Sequence, residues 1–155
     1  MEKNQTAAAA WVAAAGRRAG HELTLGEDGH CLIAFGENLQ CMVEVPAGSE
    51  LLFLYVPLVR LPESEADQLR LLKSALHLNM FGIQTGGGTL GYDERTGYLV
   101  LTFSARLEML DEDLFGKVLG DLLDVALQLH PKLLSGPQDG GAAADENLPP
   151  FHLRV

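Results

Sequence analysis

The sequence is poor in basic residues, in cysteine and in long apolar runs, and each shortage closes off a class of function. Eleven Lys and Arg stand against 21 Asp and Glu in 155 residues, a net charge of −10, and the pI is about 4.8. Such a chain is repelled by phosphate backbones and anionic lipid, so neither nucleic acid nor a membrane surface is expected as a partner. Two cysteines, Cys31 and Cys41, make neither a disulfide framework nor a zinc site; they lie in neighbouring strand-like segments and read as buried, reduced thiols. No segment reaches the roughly eighteen apolar residues of a membrane-spanning helix. The opening MEKNQTAAAAWVAAAG has small residues around a mildly apolar run, but alanine is too weakly apolar for a signal-peptide core and Glu2 has the wrong charge. The expectation is a cytoplasmic protein.

Catalytic signatures are missing as well. The histidines, His21, His30, His77, His130 and His152, are scattered singly, with no Cys-His grouping and no carboxylate at ligand spacing. No G-x-S-x-G elbow occurs. Gly86-Gly87-Gly88-Thr89-Leu90-Gly91 formally satisfies G-x-G-x-x-G, yet it leads into a strand, so the helix dipole and converging amides that hold a pyrophosphate are lacking. No catalytic residue, metal ligand or cofactor site is expected.

What is present is apolar. Hydrophobic residues make up 47% of the chain and mean hydropathy is +0.09, which calls for a large core or for apolar surface covered by a partner. The alanines predict a helix over Gln5–Arg18 with Trp11, Ala14, Ala15 and Arg18 on one side. Cys31–Phe35 reads as a strand, and Gln40–Val45 as a second in which Cys41, Val43 and Val45 oppose Gln40, Met42 and Glu44. Leu51–Val56 is apolar on both faces, as a central or partner-covered strand would be. Ser64 caps a second helix, with Leu69, Leu72 and Leu76 along one face and Leu71, Ala75 and Leu78 nearby. Thr89–Asp93, the turn Glu94-Arg95-Thr96-Gly97 and Tyr98–Ala105 form a hairpin. A third helix starts at Asp111-Glu112-Asp113 and ends before Pro131. Beyond it the chain is rich in Gly, Pro, Ala and acid, and residues 135–155 read as a disordered tail after a domain of residues 1–134. The fold class is α+β, in the order α-β-β-β-α-β-β-α, with a twisted, mainly antiparallel sheet packed by helices.

Gly16-Arg17-Arg18, Leu23-x-Leu25 and Asp28-Gly29-x-Cys31-x-Ile33 resemble the opening of the class I type III secretion chaperones, the Tir-chaperone family. Leu71-Leu72 and Leu78-Asn79, followed by Gly87-Gly88-Thr89-Leu90-Gly91-Tyr92-Asp93 and Gly97-Tyr98-Leu99-Val100-Leu101, are similar to that family's central signature in order and spacing. The resemblance spans roughly residues 5 to 134. The alanine-rich first helix, where the family carries leucines, and the longer tail are departures.

The resemblance implies a homodimer that holds the N-terminal segment of a bacterial effector in the cytoplasm and keeps it soluble and competent for secretion, without catalysis or cofactor. Components of the secretion apparatus are further expected partners. Candidate client contacts are Leu32, Ala34, Met42, Phe53 and Tyr55, apolar positions on one strand face; strand parity alone does not tell that face from the core. Candidate dimer contacts are Leu69, Leu72, Leu76, Leu90 and Tyr92, since the family pairs around its second helix and fourth strand; packing within the chain is the alternative for these leucines. An adaptor that binds a folded bacterial protein is the rival function, and a nucleotide enzyme rests on the glycine run alone.

Overall fold

The computed structural model describes residues 3–135; the segment read as a tail lies outside the described residues from position 136 onward. Eight main elements follow in the expected order: α1 (Lys3–Ala19), β1 (His30–Phe35), β2 (Leu39–Glu44), β3 (Leu51–Arg60), α2 (Glu65–Leu78), β4 (Thr89–Asp93), β5 (Tyr98–Arg106) and α3 (Glu112–Ser135). Short 3-10 turns occupy Met80–Gly82 and Leu107–Met109. The strands form one antiparallel sheet in the order β1-β2-β3-β5-β4. The fold is the α+β arrangement that the sequence indicates.

Alternation places Cys31, Ile33, Cys41, Val43, Leu52, Leu54, Val56 and Leu101 on one sheet face. There they are buried in a single cluster with Ala8 and Val12 of α1, Leu71 and Ala75 of α2, and Phe115, Leu122 and Leu129 of α3. All three helices therefore contribute to the core on the same side, and among the described residues no helix lies on the other face of the sheet. Each fully buried leucine or valine contributes roughly 1.5–3 kcal/mol. The turn before β1 depends on glycine: Gly29 has φ +80°, and a Cβ there would lie 2.2 Å from the Val45 carbonyl oxygen. The same approach lets Gln5 Nε2 donate to that carbonyl at 3.1 Å inside the core and tie α1 to the end of β2.

Three boundaries or faces differ from the sequence expectation. The most buried side chains of α1 are Gln5, Ala8, Val12 and Ala14; of the expected side Trp11, Ala14, Ala15 and Arg18, Ala14 is buried, Trp11 and Ala15 pack partly against the core, and Arg18 is exposed. The helix packs chiefly against α3, where Trp11 meets Phe115, ring centroids 6.2 Å apart. β3 continues past Val56 to Arg60, through a register shift between Pro57 and Val59; a bulge is where an interior strand tolerates proline. α2 keeps the expected two-sided pattern: it buries Leu71 and Ala75 and turns Leu69 and Leu76 outward, since each residue of helix is a rotation of about 100°. α3 runs through Pro131 to Ser135. The lost hydrogen bond is offset by burial of Leu129 and Leu133 on the stripe of Leu122 and Ala126, and Ser135 Oγ donates to the Pro131 carbonyl at 2.6 Å.

Candidate functional site

The uncovered sheet face is built by cross-strand rows. Leu32 pairs with Met42, Met42 with Tyr55, Tyr55 with Thr102, and Thr102 with Thr89 at the far edge. The next row runs from His30 through Glu44 and Phe53 to Ser104. A groove of about 930 Å³ lies over this surface, lined by Met42, Phe53, Tyr55, Pro57, Tyr98 and Val100 among others. All five client positions chosen from sequence, Leu32, Ala34, Met42, Phe53 and Tyr55, fall on this side; Leu32 and Ala34 are exposed and the other three half-buried. Pro57, Tyr98 and Val100 belong to the same surface and escaped the sequence reading. Their signal lies in the β3–β5 register, which no single-strand pattern contains.

Polar groups cross the face in a line. Tyr55 donates its hydroxyl to Glu44 Oε2 at 3.1 Å. The other Glu44 oxygen lies 3.6 Å from His30 Nε2, and His30 Nδ1 lies 3.4 Å from Asp28. Burial, and then the neighbouring Glu44 carboxylate, push the Tyr55 phenol above its ordinary pKa. At the hairpin end Asp93 accepts from the Thr96 hydroxyl at 2.7 Å and the Arg95 amide at 3.0 Å. The Thr96 bond foremost, with the Arg95 amide and charge, holds Asp93 below the usual carboxylate range. Gly97, at φ +76°, closes this tight turn.

A second apolar surface surrounds the end of α2. Leu69, Leu76 and Met80 are exposed along one side of the helix and its continuation, Leu76 at 70%; beside them stand Phe81 at 78% and Ile83 at 79%. Phe81 also adopts φ +61°, a conformation that costs a bulky residue on the order of 1–3 kcal/mol. Of the dimer positions chosen from sequence, Leu69, Leu76 and Tyr92 are exposed and Leu72 is half-buried against the core. Leu90 points inward at 6% exposure, so its side chain already packs within the chain. Met80, Phe81 and Ile83 were missed because the segment reads as a glycine-rich connection rather than as a patterned element.

The remaining chemistry-bearing groups are quiet. Cys31 and Cys41 are free and buried; burial, helped by the nearby Cys31 sulfur, pushes Cys41 up to about 12, far from thiolate reactivity at neutral pH. Among the described residues no three His, Cys, Asp or Glu side chains gather as a metal site, and no helix is long and apolar enough to cross a membrane. The glycine run leads into β4, without the following helix that a phosphate loop requires.

No curated protein sequence matches the chain, but solved structures share its fold. The ExsC–ExsE complex has a chain that is 23% identical, with TM-score 0.67 over 86% of this chain and 97% of that one. The HopA1–SchA chaperone–effector complex follows at 18% identity and TM-score 0.64, covering 85% and 99%. The heterodimeric ExoU–SpcU complex from the type III secretion system of Pseudomonas aeruginosa matches at 22% identity and TM-score 0.60, covering 82% and 94%. A profile of the Tir chaperone protein (CesT) family matches residues 12–130, a span that runs from α1 almost to the end of α3, and the chain belongs to that family.

Proposed function

We propose that this chain is a type III secretion chaperone that binds the N-terminal segment of a bacterial effector on the helix-free face of its sheet. The observation that carries the proposal is that face: a groove of about 930 Å³ lined by Met42, Phe53 and Tyr55, with exposed Leu32 next to Met42 in the same cross-strand row. An extended segment laid over it buries apolar side chains. The same segment can reach the sheet edge at β1, where backbone hydrogen bonds add affinity with little demand on sequence. The HopA1–SchA structure, a chaperone–effector complex, and the ExoU–SpcU heterodimer of a type III secretion system support the partner class.

The protein works as a homodimer in the bacterial cytoplasm, one chaperone domain per copy over residues 1–134, with no catalysis of its own. The second apolar surface supports the dimer. An exposed phenylalanine at positive φ gains nothing in water, whereas a partner surface offsets both the strain and the exposure. Leu69, Leu76, Phe81, Ile83 and Tyr92 make that contact, with Leu72 behind them.

Co-purification from the source bacterium, with mass spectrometry and light scattering, tests the function. Two copies holding one protease-resistant N-terminal effector segment are expected. A folded regulator in place of that segment would move the assignment to an adaptor, and no protein partner at all would remove it.

A further inference from the structure

Glu44 is an acidic group on the helix-free face, beside the groove whose own lining carries Asp93 and Arg95 at the hairpin end. Its side chain is about three-quarters buried, at 28% exposure, in the row between His30 and Phe53 and two residues from Met42 on the same face. A carboxylate offers about four acceptor sites, and Tyr55 fills one, at 3.1 Å. His30 Nε2, at 3.6 Å, is too far for a hydrogen bond, and its other nitrogen faces Asp28. Water can serve the open face, but a peptide that covers the groove expels it, and a buried carboxylate short of partners is heavily penalised.

Resting on the peptide-binding role proposed above, we infer that Glu44 selects client segments carrying a lysine or arginine flanked at alternate positions by apolar residues. The flanking side chains pack on Met42 and Phe53, and the cation meets the free Glu44 oxygen. A segment with an apolar or acidic residue at that position leaves the carboxylate unpaired and is rejected, so the group discriminates chiefly by what it excludes. The net charge of −10 attracts basic segments in general, and the test must separate that background from a local pairing.

Random-peptide phage panned against the full chain, E44Q and D124N make the separation. Asp124 is exposed on α3, on the other side of the sheet, so D124N removes the same charge without touching the groove. The full chain and D124N are expected to enrich Lys or Arg between apolar residues, and E44Q to enrich apolar peptides without the cation. An arginine peptide so selected should bind the full chain about tenfold tighter than its Arg→Gln version, a preference lost in E44Q. Equal enrichment of basic peptides on E44Q would overturn the role of Glu44 while leaving the peptide face standing. If nothing is enriched on any of the three proteins, the peptide face itself fails, and the selection by Glu44 with it.

Discussion

Asn79 closes the sheet edge at Leu90. Its side-chain amide donates to the Leu90 carbonyl at 2.9 Å, and its side-chain oxygen accepts from the Leu90 amide at 2.7 Å, the two bonds that a neighbouring strand would make. Asn79 is also the C-cap of α2, so one residue ends the helix and occupies the outer edge of β4. β1, at the opposite end of the sheet, is left as the edge for strand addition. Asn79→Ala should cost about 1–3 kcal/mol in urea denaturation, because two partly buried backbone groups lose their partners. It should also increase aggregation through the opened edge. A variant as stable and as soluble as the parent would show that the edge needs no cover.

The proposed peptide face can be altered without touching the core. Leu32 is 54% exposed in an edge strand, so Leu32→Asp should change unfolding free energy by less than about 1 kcal/mol. The same change sets a carboxylate against the client's apolar side chains, and retention of the co-purified client should fall at least tenfold. Undiminished retention in pull-down would place the client elsewhere.

For the dimer, Leu76→Asp combined with Ile83→Asp is the cleaner disruption than a change at Leu72, which also packs on the chain's own core. Charges at a two-fold contact meet their own copies, and unpaired buried carboxylates cost several kcal/mol in order of magnitude. Light scattering should report a monomer with unchanged circular dichroism. A dimer that survives both substitutions would locate the interface away from α2.

Cys41 should make the protein sensitive to alkali. Its thiol titrates near 9.0 as a free group and at about 12 in the fold. Between those values the unfolded chain has lost the proton that the folded chain still holds. Stability from this group is therefore full below about pH 9 and falls as pH rises toward 12, by up to a few kcal/mol in total. Cys41→Ala lowers stability at pH 7 through the lost packing but should flatten the decline between about pH 9 and 11. Parallel stability curves for the two proteins would assign the alkaline loss to other groups.

How much of this was legible in the sequence varies with the range of the interaction involved. The β4–β5 hairpin was plain because Asp93, Thr96 and Gly97 build the turn among themselves, and Ser64 marked the start of α2 by the same local chemistry. The end of α3 is not legible at Pro131, since a local rule about proline competes with the burial of Leu133, which depends on what lies across from it. The client positions were chosen together because they share parity, whereas Glu44, on the same parity and between them, stood out only once Tyr55 and His30 were beside it.

The sequence by itself determined the order of elements, the α+β class and the alternation along each strand, because these follow from residue periodicity and turn chemistry within a few residues of each position. Only the tertiary structure decided which side of each strand the helices cover. Leu51–Arg60 is apolar on both faces, and a strand pattern is unchanged when its two faces are exchanged. The packing of α3 on β3, with residues of α1 and α2 in the same core cluster as Leu52, Leu54 and Val56, breaks that symmetry and leaves Met42, Phe53 and Tyr55 outside that cluster.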